Sequence, residues 1–86
     1  MSMNLFLQAK RIEGKRNKDK KMVVDNFNLY QTPTDISYEL LKGNVVSNYF
    51  NWVKKNIDDN NHLIDLNVWL ENHLEVDGWT VNWFVN

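Results

Sequence analysis

Near the end of the chain, Trp79-Thr80-Val81-Asn82-Trp83-Phe84-Val85 alternates so that Trp79, Val81, Trp83 and Val85 fall on one face, the period-2 signature of a strand. A strand cannot stand alone, because its backbone N–H and C=O groups need partners. Candidate partners lie only at the opposite end of the chain. From Met3 to Ala9, the side chains of Met3, Leu5, Leu7 and Ala9 alternate with Asn4, Phe6, Gln8 and Lys10, with Phe6 interrupting the polar set. From Met22 to Tyr30, Val23, Phe27 and Leu29 share a face while Asn26 and Asn28 point away. The two ends of the chain are therefore expected to meet in one sheet.

Gly14 to Lys20 carries Gly, Asn and Asp among its cations, as a hairpin loop does. After Thr32-Pro33 the pattern turns helical. Thr34 or Asp35 is a candidate N-cap, Ile36, Leu40 and Leu41 form an apolar stripe, and Gly43 is the stop. Asn44 can cap a second helix in which Val46, Tyr49, Phe50 and Val53 recur at i, i+3, i+4 and i+7, with Lys54-Lys55 at the favourable end of its dipole. Asp58-Asp59-Asn60-Asn61 reads as a polar connection. A third helix is expected from Leu63 or Asp65 to Glu75, with Leu66, Trp69, Leu70 and Leu74 inward and Gly78 just past its end.

The expected fold is a small two-layer α+β domain in ββαααβ order, a three-stranded, mainly antiparallel sheet with helices on one face. A single domain spans residues 1–86, with a basic β-hairpin over 3–30, a helical segment over 34–76 and a C-terminal strand over 79–85. At 43% hydrophobic residues, with four Trp, four Phe and three Tyr, the chain can supply one core. Absence of Cys excludes disulfides and thiolate zinc sites and fits an intracellular home. No apolar run approaches the roughly 20 residues that span a bilayer, and there is no signal-peptide pattern. The chain reads as soluble and cytoplasmic, without a membrane partner.

The net charge of −1 conceals a split. Residues 1–22 carry Lys10, Arg11, Lys15, Arg16, Lys18, Lys20 and Lys21 against Glu13 and Asp19, a net of +5, whereas residues 23–86 carry three Lys against nine acids, a net of −6. Asparagine occupies fourteen positions and Pro33 is the only proline. In size and in this Asn- and Lys-rich makeup the chain resembles the small accessory, host-takeover proteins of tailed phages. That resemblance implies a role in modulating host or defence machinery, in the host cytoplasm.

Catalytic patterns are missing, so no catalytic residue, cofactor or metal is expected. His62 and His73 lie eleven residues apart, about 16 Å along a helix, too far to share an ion. Both read as surface or boundary histidines. Asp58, Asp59, Asn60 and Asp65 lack the central Gly and terminal Glu of a calcium loop. Ser2, Ser37 and Ser47 lack the nucleophile-elbow context, and the three glycines form no phosphate loop. Glu71 and Glu75, at i and i+4, fit a solvated helix face. The expected protein is not an enzyme.

The basic segment has a direct route to function. Lys10, Arg11, Lys15, Arg16, Lys18, Lys20 and Lys21, at the tip and flanks of the hairpin, can neutralise phosphates and release counterions; if all seven engage, log affinity falls with log salt at roughly −5 on single strands to −6 on duplex DNA. No aromatic lies between Lys10 and Lys21, so this segment can hold phosphates but offers no base stacking. The leading expectation is a non-enzymatic, phosphate-directed nucleic-acid-binding protein, RNA favoured, weakly sequence-selective and homodimeric. The plain alternative is a solvated loop that serves solubility.

A second reading makes the partner a host protein. The acids Glu39, Asp58, Asp59, Asp65, Glu71, Glu75 and Asp77 would cover the basic site of a nucleic-acid enzyme. Alternatively, an open apolar sheet face formed by Phe6, Ile12, Met22, Val24, Tyr30 and Phe84 would dock on a partner or on a second copy. A bulge would return some of these side chains to the core.

Overall fold

The computed structural model describes residues 4–29, 34–43, 45–57 and 61–85, without the side chains of residues 34–36 and 61. Strands β1 (Leu5–Glu13) and β2 (Lys21–Asn28) are followed by helices α1 (Thr34–Lys42), α2 (Val46–Asn56) and α3 (Asn61–His73), then by strand β3 (Thr80–Val85). This is the expected ββαααβ order. The sheet is antiparallel in the order β2-β1-β3, so the N-terminal strand is central and the C-terminal strand lies on an edge. Pairing of β1 with β2 runs from Phe6↔Asn28 to Glu13↔Lys21, and pairing with β3 runs from Leu5↔Val85 to Lys10↔Thr80.

Alternation decides which face of the sheet the helices cover. Leu5, Leu7 and Ala9 are buried, and Phe27, Val81 and Trp83 are half-buried on the same face. Against them α2 buries Val46, Tyr49, Phe50 and Val53, α3 buries Leu63, Leu66 and Leu70, and α1 buries Leu41. Leu40, Trp69 and Leu74 pack at the margin of this one cluster. The polar interruption is the Ser37 hydroxyl, 2.8 Å from the Tyr49 hydroxyl, with both side chains buried. That bond satisfies both groups and links α1 to α2 inside the core.

Element ends differ from the sequence expectation for physical reasons. Strand β1 continues past Ala9 to Glu13, because ladder hydrogen bonds to β2 keep the backbone extended after the buried face has run out. Helix α3 starts at Asn61 and stops at His73. The Leu74 N–H still donates to the Leu70 carbonyl at 2.7 Å, and the chain then turns through Gly78, at φ 95°, into β3. The cap of α2 is Val45, which makes no side-chain cap hydrogen bond. The expectations for Met3, Tyr30, Asn44, Asp58, Asp59 and Asn60, and for the side chains of Thr34, Asp35 and Ile36, lie outside the described residues.

Candidate nucleic-acid interface

The β1–β2 ladder outruns the three-stranded sheet. Beyond Lys10↔Thr80, the last pair with β3, the pairs Arg11↔Val23, Ile12↔Met22 and Glu13↔Lys21 form a two-stranded arm. The arm lengthens the molecule to 43 × 29 × 22 Å and its radius of gyration to 14.1 Å, against about 12 Å for a compact chain of this length. Its corner is Gly14, at φ 114°, where a Cβ would stand 2.6 Å from the Asp19 carbonyl oxygen. Only glycine fits there. A 3-10 turn over Asn17–Asp19 completes the tip, with the Asp19 N–H donating to the Arg16 carbonyl at 2.9 Å.

The seven cations expected to act together divide into two sets. Arg16 Nε donates to Asp19 at 3.1 Å across the tip. Arg11 lies on the helix side of the sheet, ion-paired to Glu13 and with its guanidinium 4.8 Å from the centre of the Trp79 ring. Lys10, Lys15, Lys18, Lys20 and Lys21 are exposed and have no acidic partner among the described residues. Four of these ammonium groups, those of Lys15, Lys18, Lys20 and Lys21, therefore belong to the arm and that of Lys10 stands at its base, all without a compensating acid among the described residues. Alternation turns Lys10 to the open face of the sheet and Lys21 to the helix side.

A brace holds the base of the arm. His73 Nδ1 faces the Trp69 carbonyl oxygen at 2.7 Å and Nε2 faces the Asp25 carboxylate on β2 at 3.0 Å. Its ring stacks on Trp69 at 4.3 Å and meets Trp79 edge-on at 4.6 Å. Arg11 over Trp79 continues the column into the arm. Expected at the surface or its boundary, His73 is in fact only 8% exposed, because β2 and the segment before β3 close over the last turn of α3. His62, also on α3, packs against Phe27 at 5.4 Å. Burial lowers its pKa below the ordinary histidine value of 6.5, and the Asp65 carboxylate partly offsets this.

The face of the sheet turned away from the helices is ordered by register. One row places Phe6 beside Phe84 and Asn28, the next sets Gln8 between Asn26 and Asn82, the third sets Lys10 between Val24 and Thr80, and the last pairs Ile12 with Met22. Phe6 and Phe84 stack with centroids 5.4 Å apart and planes 20° apart. Ile12, Met22, Val24 and Phe84 are exposed, as expected of an open apolar face. Where β3 ends short of the arm, Lys10, Arg11, Ile12, Met22, Gly78 and Thr80 line a groove of about 260 Å³. Phe6 and Phe84 were expected on this open face; their stacking on each other and the amide row, which depend on cross-strand register, were not legible in the sequence.

Of the acids expected to cover a basic site, Asp65 and Asp77 are exposed with no ion pair among the described residues, whereas three others are engaged. Glu39 pairs with Lys42 at 3.2 Å, Glu75 with Lys54 at 3.4 Å, and Glu71 accepts from the Asn67 amide at 3.0 Å. Asp58 and Asp59 lie outside the described residues. Among the described residues no three His, Asp or Glu side chains gather as metal ligands, and no helix is long and apolar enough to cross a membrane. No family model, curated protein or solved structure matches the chain. The functional argument therefore rests on the arm and the open face.

Proposed function

We propose that the protein is a non-enzymatic nucleic-acid-binding protein, with RNA the favoured ligand, that grips phosphates with its basic arm. The observation that carries this reading is the set of five lysines, Lys10, Lys15, Lys18, Lys20 and Lys21, which have no acidic partner among the described residues, on and at the base of an arm whose corner admits only glycine. Uncompensated charge at close spacing attracts a polyanion and gains from counterion release. Arg11 and Arg16 already have acidic partners, so they add less. In this role the protein acts by occupancy, as a small accessory protein that modulates host or defence machinery by covering nucleic acid. The acidic-surface alternative is less well supported, since Glu39, Glu71 and Glu75 are engaged within the fold, which leaves Asp65 and Asp77 as its exposed acids without an ion pair among the described residues.

A salt titration tests the reading. Five engaged lysines give a slope of log affinity against log salt of about −3.5 on single-stranded RNA and about −4.5 on duplex DNA. The triple change Lys15→Ala, Lys18→Ala, Lys20→Ala reduces the single-strand slope by about 2. Failure to bind either ligand at about 50 mM salt, or a slope unmoved by the triple change, overturns the reading.

A further inference from the structure

We propose that the open sheet face is a platform for unpaired bases, with Phe6 and Phe84 as the stacking surface and Gln8, Asn26 and Asn82 as readers of base edges. This rests on the nucleic-acid reading of the arm and names its ligand class, a single strand with its bases exposed. The cross-strand register carries the argument. It places two phenyl rings together on the face that no helix covers, and Phe84 is 39% exposed. A flat pair of rings open to solvent can extend its stack with a nucleobase, whichever base that is.

The neighbouring row supplies the complementary chemistry. Gln8, Asn26 and Asn82 lie side by side across all three strands, and their side-chain amides have no hydrogen-bond partner among the described residues. Each amide offers both a donor and an acceptor, the combination that matches the edges of unpaired bases. The third row ends the sequence with Lys10, at the base of the arm, the one cation of the paired β1–β2 residues on this face. From Phe6 to Ile12 the rows span about 20 Å at the rise of an antiparallel strand, room for several nucleotides of an extended strand. The order along β1 is therefore ring, amide, cation, and beyond it the basic tip. Charge complementarity with the arm selects a polyanion for this face over an uncharged partner.

The test is fluorescence anisotropy with end-labelled strands of about ten nucleotides, as RNA and as DNA, beside the matching duplex. Phe6→Leu and Phe84→Leu keep the face apolar but remove the rings, and Phe84→Tyr keeps a ring. The expected result is a loss of about tenfold or more in single-strand affinity for each Leu variant, an unchanged salt slope, unchanged duplex binding and retention by Phe84→Tyr. Comparing RNA with DNA shows which sugar the site accepts. Thermal unfolding establishes that the Leu variants are folded; should either be unfolded, Gln8→Ala with Asn82→Ala replaces it, with a several-fold loss expected on single strands alone. If the Leu variants bind single strands as wild type does while the lysine triple change still lowers the slope, the platform is overturned and the arm reading stands. Absence of binding to every strand overturns both. A dimer at micromolar concentration that Phe84→Leu dissociates assigns the face to a second copy and also overturns the platform.

Discussion

The carboxylate of Asp25, midway along β2, stands 3.0 Å from Nε2 of His73, the last residue of α3. The two ring nitrogens of His73 thus face oxygens from different elements, while Trp69 and Trp79 cover the ring. This contact is where the hairpin, the final helix and the approach to β3 are joined.

Truncating that brace should be costly. His73→Ala removes two polar contacts and two ring contacts from a nearly buried site, and is expected to lower unfolding free energy by about 2–4 kcal/mol. Asp25→Ala, at a half-exposed side chain, should cost about 1 kcal/mol. Urea denaturation followed by tryptophan fluorescence measures both. A His73→Ala protein as stable as wild type would show that the column braces nothing.

The buried hydroxyl pair makes a second prediction. Ser37→Ala and Tyr49→Phe each remove one half of the 2.8 Å bond between α1 and α2, and each should cost about 1–2 kcal/mol. The double variant should cost less than the sum, with a coupling of about 1 kcal/mol in a double-mutant cycle. Strict additivity would mean that the hydroxyls contribute independently of each other.

At the arm's corner, Gly14→Ala meets the backbone of Asp19 and Lys20 at under 3.0 Å and forces a left-handed φ on alanine. A destabilisation of about 1–3 kcal/mol is expected. Because the tip spaces Lys15, Lys18 and Lys20, the same variant should also weaken nucleic-acid binding. Amide exchange across the Glu13↔Lys21 pair reports the local loosening directly.

His62 gives the pH prediction. Its pKa is lower in the folded protein than in the unfolded chain, so around pH 6.5 the unfolded state binds a proton that the folded state does not. The stability contributed by neutral His62 is therefore present above pH 6.5 and declines as pH falls through that value, levelling off below the folded pKa. Comparing wild type with His62→Gln between about pH 7.5 and 5.5 isolates this contribution. A difference between the two proteins that does not change with pH would sink it.

Much of the architecture was legible in the chain because period alone decides faces. The alternation of Leu5, Leu7 and Ala9, of Val23, Phe27 and Leu29, and of Trp79, Val81 and Trp83 picked out the covered side of the sheet. The 3.6-residue recurrence of Val46, Tyr49, Phe50 and Val53 likewise picked out the buried side of α2. Charge sequence placed the cations at the hairpin. It did not tell which of them would be compensated: the acidic partners are close in sequence, Glu13 for Arg11 and Asp19 for Arg16, but only the folded hairpin shows that these pairs form, and the Trp79 ring beside Arg11 arrives from the far end of the chain.

By itself, then, the sequence determined the element order, the antiparallel meeting of the chain ends, the covered and open faces and the site of the basic loop, since these follow from local period and from the need to pair every strand. Only the tertiary structure decided that β3 pairs with β1, and in which register. That choice sets Phe84 against Phe6 and Asn82 against Gln8, and it leaves the arm protruding beyond Lys10. Alternation decides which face each residue takes, but with three helices between β2 and β3 no tight turn ties β3 to β1 and selects the register within that face.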